Sequence, residues 1–182
     1  MSRDVANPNT GAFPLQSPAA ARFAWVGDSI NRDITASVTL IAGVKTGGDP
    51  ALSTAWFILG QPVTGVASPV WVKATAVPRE LAAGAEPAPL NAACDRVRAR
   101  LYPTWRGDQK RYLEVSALTA PGSGVLAPLL AQEGRVFAAV RAAEQGWGAQ
   151  SPSAETLRQL QSRLATETLA AIDAIAPPRS TP

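Results

Sequence analysis

Residues 29–72 read SINRDITASVTLIAGVKTGGDPALSTAWFILGQPVTGVASPVWV. Apolar and small polar residues alternate through this run, and its β-branched content suits pleated strands. From Ile34, an extended chain carries Ile34, Ala36, Val38, Leu40 and Ala42 on one face and Thr35, Ser37, Thr39 and Ile41 on the other. The spacing predicts a strand with one dry and one mixed face. Lys45 to Pro50 then supplies Gly-Gly and Asp-Pro, residues that set turn dihedrals. Ser53 to Leu59 opens a second extended run, and Gly60-Gln61-Pro62 is a second tight connection. Val63 to Val72 reads as a third strand, with Gly65 and Pro69 marking a bulge, bend or edge. The expectation is a three-stranded antiparallel meander.

The flanks read differently. Met1 to Gly27 is irregular, with Arg22 to Val26 a short strand or an aromatic anchor. Lys73 to Ala88 is an Ala/Pro/Gly surface connection. In Leu90 to Tyr102, Leu90, Cys94, Val97 and Leu101 recur at helical spacing until Pro103 stops the helix. Lys110 to Val115 fits another strand. Ser123 can cap a helix bearing Leu126, Leu129, Leu130, Val136, Phe137 and Val140, with Pro128 best tolerated in its first turn and Gly146 and Gly148 ending it. Ser151-Pro152 forms an N-cap and first-turn pair for a last helix with Leu157, Leu160, Leu164, Ala171 or Ile172, and Ile175 on one stripe. The fold class is therefore α+β: an antiparallel meander with a C-terminal helical hairpin packed on it. Residues 1–176 form one domain and 177–182 a flexible tail.

Composition narrows the chemistry. Hydrophobic residues make up 46% and charged residues 17% of the 182, so the chain is a folded domain and not a polyelectrolyte. With no histidine and one cysteine, Ser-His-Asp and Cys-His catalysis, His-bearing zinc sites and an internal disulfide are closed to it. A nucleophile here needs a base other than histidine, such as the α-amine of an N-terminal Cys, Ser or Thr. No run reaches the ~20 apolar residues of a membrane span. The basic residues from Arg96 to Arg111 are interleaved with Asp95 and Asp108, which reads as a solvated surface and not as a nucleic-acid face.

Few side chains are candidates for chemistry. Cys94 falls on the apolar stripe of its helix, so it reads as a buried packing residue. Ser2 precedes a Pro/Asn/Gly loop instead of a core strand, and Lys45-Thr46-Gly47-Gly48 lacks the phosphate-loop pattern. Asp28, Asp33 and Asp49 lack metal-site spacing. Trp25, Trp56 and Trp71 read as core aromatics. Asn31 and Arg32 immediately precede the best strand, where a scaffold can hold polar groups at a pocket. Asn can stabilise a developing oxyanion, and Arg can orient a nucleophile or bind a carboxylate. Residues 31–33 can equally be an ordinary polar turn.

The order Asn31-Arg32, a Thr/Ser/Ala/Val strand, Gly43-Val44-Lys45, Asp49-Pro50, Leu52-Ser53-Thr54-x-Trp56, Leu59-Gly60-x-Pro62 and Val66-x-x-Pro69-Val70-Trp71-Val72 resembles the C-terminal part of N-terminal-nucleophile (Ntn) hydrolases. It looks most like the isopenicillin-N acyltransferase and linear-amide hydrolase branch. The resemblance implies part of a four-layered αββα sandwich, with no cofactor, in which an N-terminal Cys attacks a small amide substrate. It places Arg32 facing that nucleophile, with Asn31 beside it. No candidate Cys stands at a strand start, so the nucleophile belongs to a missing N-terminal segment or a separate chain, and this chain alone is expected to be inert. The alternative is a stand-alone α+β binding or structural domain. A fragment should leave a sheet edge unpaired and an apolar face uncovered, whereas a complete domain should cover both.

Overall fold

A computed structural model describes residues 22–27, 29–103, 105–106, 110–147 and 151–178. Ser2, Asp28 and positions 179–182 of the expected tail lie outside these residues. The chain is mixed α+β with antiparallel pairing throughout. Its central sheet is the meander, formed by β2 (Ser37–Ala42), β3 (Thr54–Leu59) and β4 (Ser68–Trp71) in that order. A short β1 (Phe23–Ala24) pairs with β7 (Leu113–Glu114), and β5 (Trp105–Arg106) pairs with β6 (Lys110–Arg111). The helices are α1 (Pro89–Leu101), α2 (Val115–Thr119), α3 (Leu126–Trp147) and α4 (Ala154–Ile175).

One sheet face is covered by helices. Register puts Thr54, Trp56 and Ile58 of β3 on the same face as Pro69 and Trp71 of β4. Thr54, Ile58, Pro69 and Trp71 are buried. Trp56 tilts against Phe137 of α3 at 4.9 Å, and Trp71 meets the Trp147 ring edge-on at 6.1 Å. α4 packs against both β4 and α1, and Leu157, Leu164 and Ile172 are buried on its apolar stripe. The opposite face carries Ala55, Phe57, Leu59 and Val70, all half-buried, with Thr39 and Ile41 exposed.

The two sheet edges differ in kind. Proline can sit in a strand only where its missing N–H costs no ladder bond. Pro69 therefore turns its nitrogen outward, and Ala67 and Trp71, two residues either side, turn their N–H groups outward too. Both are met by helix side chains: Ala67 N donates to Glu133 Oε2 at 3.1 Å, and Trp71 N donates to Gln161 Oε1 at 3.2 Å. The β4 edge is sealed. At the other edge Gly60 N donates to Ala36 O at 2.8 Å, a phase that leaves the backbone groups of Ser37, Thr39 and Ile41 pointing away from β3. Among the described residues nothing pairs with them.

Several expectations need correction. The third strand begins at Ser68, not Val63, because residues 60–67 form a buried connection closed by Thr64 N donating to Gln61 O at 2.9 Å. The dry face expected for the first strand is only partly covered: Val38 is half-buried, but Leu40 is 48% exposed and Ile34, which precedes β2, is 74% exposed; Ile41 on the other face is 75% exposed. Trp25 is also exposed and not core. The single strand expected over 110–115 is split between β6 and β7, and Val115 starts α2. The last helix is capped by Ser153, whose hydroxyl accepts from Thr156 N at 3.0 Å, and not by Ser151.

Helix α1 closes the open end of the meander. Cys94 is buried on its apolar stripe, as its spacing predicts. A Cβ at Gly60 would stand 2.9 Å from the Cys94 Cβ, and one at Gly65 would stand 2.8 Å from its Sγ. Gly60 also has φ +117°, which disfavours any other residue. Gly60→Ala is expected to destabilise the fold by about 1–3 kcal/mol. The check is urea denaturation: the midpoint should fall while the slope stays constant.

Candidate functional site

The segment before β2 is a locked turn. Ser29 Oγ donates to Val26 O at 2.9 Å and accepts from Asn31 N at 3.0 Å. Thr35 N donates to Arg32 O at 3.0 Å, and its hydroxyl donates to Ile30 O at 2.8 Å. Short polar side chains that bond to nearby backbone favour turns in this way. The result sends neighbouring residues in opposite directions. Asn31 is fully enclosed and Arg32 is exposed.

Asn31 joins a buried polar cluster. Gln61 Nε2 donates to the Asn31 carbonyl and to the Tyr102 hydroxyl oxygen, the latter at 2.6 Å. The Tyr102 hydroxyl in turn donates to the Asn31 carbonyl at 3.4 Å. Two residues after Asn31, Asp33 O accepts from Arg98 of α1 at 3.1 Å, and Arg98 pairs with Asp95 at 3.2 Å. The turn is thus tied to the β3–β4 connection and to the C-terminal end of α1. Gln61 and Tyr102 were not picked out by sequence reasoning. A glutamine set between Gly60 and Pro62 in an apolar run, and a tyrosine just before the stop at Pro103, were the available signals.

Arg32 is held by one bond, Nε to Ser29 O at 3.3 Å, and has no carboxylate partner among the described residues. Ile30 and Ile34 flank it, both exposed. The arrangement presents a cation from a rigid turn beside the open strand β2. Such a group can bind a carboxylate or orient a polar group brought to the sheet edge. It does not place the Asn31 side chain beside the Arg32 guanidinium: the one is interior and the other faces solvent.

A second polar cluster joins distant loops. Asp49 accepts from Ala51 N at 3.0 Å, Lys73 Nζ at 3.2 Å and Ser151 Oγ at 3.0 Å, and these donors hold its carboxyl below the usual carboxylate range. Lys73 Nζ also donates to Ser151 Oγ at 2.5 Å. An ammonium donating to a hydroxyl cannot take its proton, so this is an ionic latch and not an activated serine. Two arginines of α1 reach the end of α4. Arg96 pairs with Asp173 and donates to Ala176 O at 2.9 Å, while Arg100 donates to Ile175 O at 3.0 Å, so both satisfy carbonyls at the end of α4.

The chain matches no family model, no curated protein and no solved structure. Among the described residues no helix is long and apolar enough to cross a membrane.

Burial pushes the Tyr102 hydroxyl up from 10.0 to about 12, although the Gln61 hydrogen bond opposes the rise. In the unfolded chain this tyrosine ionises near its ordinary value and in the folded chain near the raised one. Stability is therefore fully present below pH 10 and is lost as pH rises toward about 12. Tyr102→Phe should flatten that alkaline fall and lower neutral-pH stability by about 1–2 kcal/mol, because Gln61 loses a partner. Chemical denaturation across that pH range measures both.

Proposed function

We propose that this chain is the C-terminal portion of an Ntn-type amide hydrolase or acyltransferase, supplying strands of one sheet and its covering helices to an αββα sandwich. The observation that carries the reading is the one-sidedness of the sheet. One face is helix-covered and the other carries half-buried Ala55, Phe57 and Val70 with no helix of the described residues across it; one edge is sealed by Glu133, Pro69 and Gln161, and the other is open with Ile41 exposed. β2 also lacks the charges, prolines and bulges that protect natural edge strands. A second sheet stacked about 10 Å away would cover the apolar face, and a strand added to β2 would satisfy Ser37, Thr39 and Ile41.

In this reading the added segment brings an N-terminal Cys whose α-amine is the base. The thiolate attacks the amide carbonyl, and the amine leaves with a proton from the α-ammonium. The acyl-enzyme then passes to water or another amine. Arg32 stands at the edge where that segment arrives and orients the nucleophile or holds a substrate carboxylate. Asn31 supports it through the backbone of the turn. Cys94 is buried, so within the described residues it offers no substitute nucleophile.

The test is co-expression of this chain with a Cys-initiated segment encoded next to it, with linear-amide hydrolysis as the readout. Turnover is expected in the assembled pair and not in the chain alone, and Arg32→Ala in the pair should lower it by roughly 10²–10³-fold. Ile41→Lys should leave folding stability within about 0.5 kcal/mol and abolish assembly. A neighbouring sequence without any such segment, together with an isolated chain that stays monomeric, would favour a stand-alone binding domain.

A further inference from the structure

We infer that the cleft between the ends of α1 and α4 and the turn preceding α3 binds a small amphiphilic carboxylate, gripped by Arg100 and Arg135. The cleft measures about 650 Å³, within the range of small-molecule sites. Its walls include Ala127 and Pro128 of α3 and Ala171 and Ile175 of α4, and among the described residues no carboxylate lines it.

The charge pattern selects the ligand. Neighbouring Arg96 and Arg98 are neutralised by Asp173 and Asp95. Arg100 and Arg135 are not: among the described residues their partners are neutral oxygens. Arg100 donates to Ile175 O at 3.0 Å and to Ser123 O at 2.7 Å, and Arg135 Nε donates to Gln132 Oε1 at 2.9 Å. Each guanidinium is therefore held in place by neutral oxygens, without a carboxylate partner among the described residues. A guanidinium has five N–H donors, so both keep donors for a bidentate grip on an oxyanion. A fully hydrated inorganic anion would gain nothing from the Ala127, Pro128 and Ile175 wall. A carboxylate on an apolar body uses both halves, its head on the two arginines and its chain along Ile175.

The full chain is titrated by calorimetry with octanoate, octanol and inorganic phosphate, at low and raised salt. Octanoate should saturate one site, bind at least roughly tenfold more tightly than octanol or phosphate, and weaken as salt rises. Arg135→Gln removes an exposed side chain bonded to Gln132 and should cost roughly tenfold in octanoate affinity. Ala171→Leu should block binding by filling the cleft without touching either arginine. Four results would overturn the proposal: no saturable heat with octanoate; octanol binding as tightly, which marks an apolar crevice; phosphate binding as tightly, which marks a bare cationic patch; or octanoate affinity unchanged in both variants.

Discussion

The seating of α1 on the end of the meander is the contact from which most of the described architecture follows. Cys94 fits against two residues that lack a Cβ, Gly60 and Gly65, and the fit leaves no room for a methyl group at either. Close packing of this kind fixes a helix in both position and rotation. With α1 so placed, Tyr102 and Arg98 reach the turn before β2, and Arg96 and Arg100 reach the last carbonyls of α4. The presentation of Arg32 at the surface is thus a remote result of a thiol meeting two glycines.

Polar side chains inside this chain serve mainly as partners for backbone groups. Glu133 and Gln161 take the outward N–H groups flanking Pro69, and Gln161 Nε2 also donates to Ala76 O at 2.7 Å. Arg158 donates to Ala74 O at 3.1 Å. A buried polar group is tolerated only when bonded, and backbone partners are the nearest supply where irregular segments meet helices. This explains why the apolar stripes of α3 and α4 are interrupted by Glu133 and Gln161 without loss of the core, while Gln132 and Thr168 bond to each other across the two helices.

The same distinction explains what could be read from sequence. The period-two run of residues 37–59 and the period-3.6 stripe from Leu90 to Leu101 are local signals, and both elements form within a few residues of the expected limits. The start of β4 was misplaced because Val63 and Val66 are apolar for a non-local reason: they are buried in the core shared with Leu90, Cys94 and Val97 of α1 and do not alternate across a sheet. Ser151 resembled a helix cap by type and neighbour, but its hydroxyl is committed to Asp49, 102 residues away in sequence. At the candidate site the same limit applies. Residue type and position before a strand marked Asn31 and Arg32, but which of them turned inward depended on Gln61 and Tyr102, far along the chain.

Sealing the sheet at β4 gives its growth a direction. Edge-to-edge polymerisation needs two complementary edges on every subunit, one to offer and one to receive. Here Pro69 withholds a donor, and the neighbouring N–H groups are already taken by α3 and α4. Two copies meeting β2 to β2 would form a doubled sheet whose outer strands are both β4, and nothing further could join. The exposed strand is thus permitted one encounter and no fibre, so an unprotected edge can persist without seeding runaway aggregation.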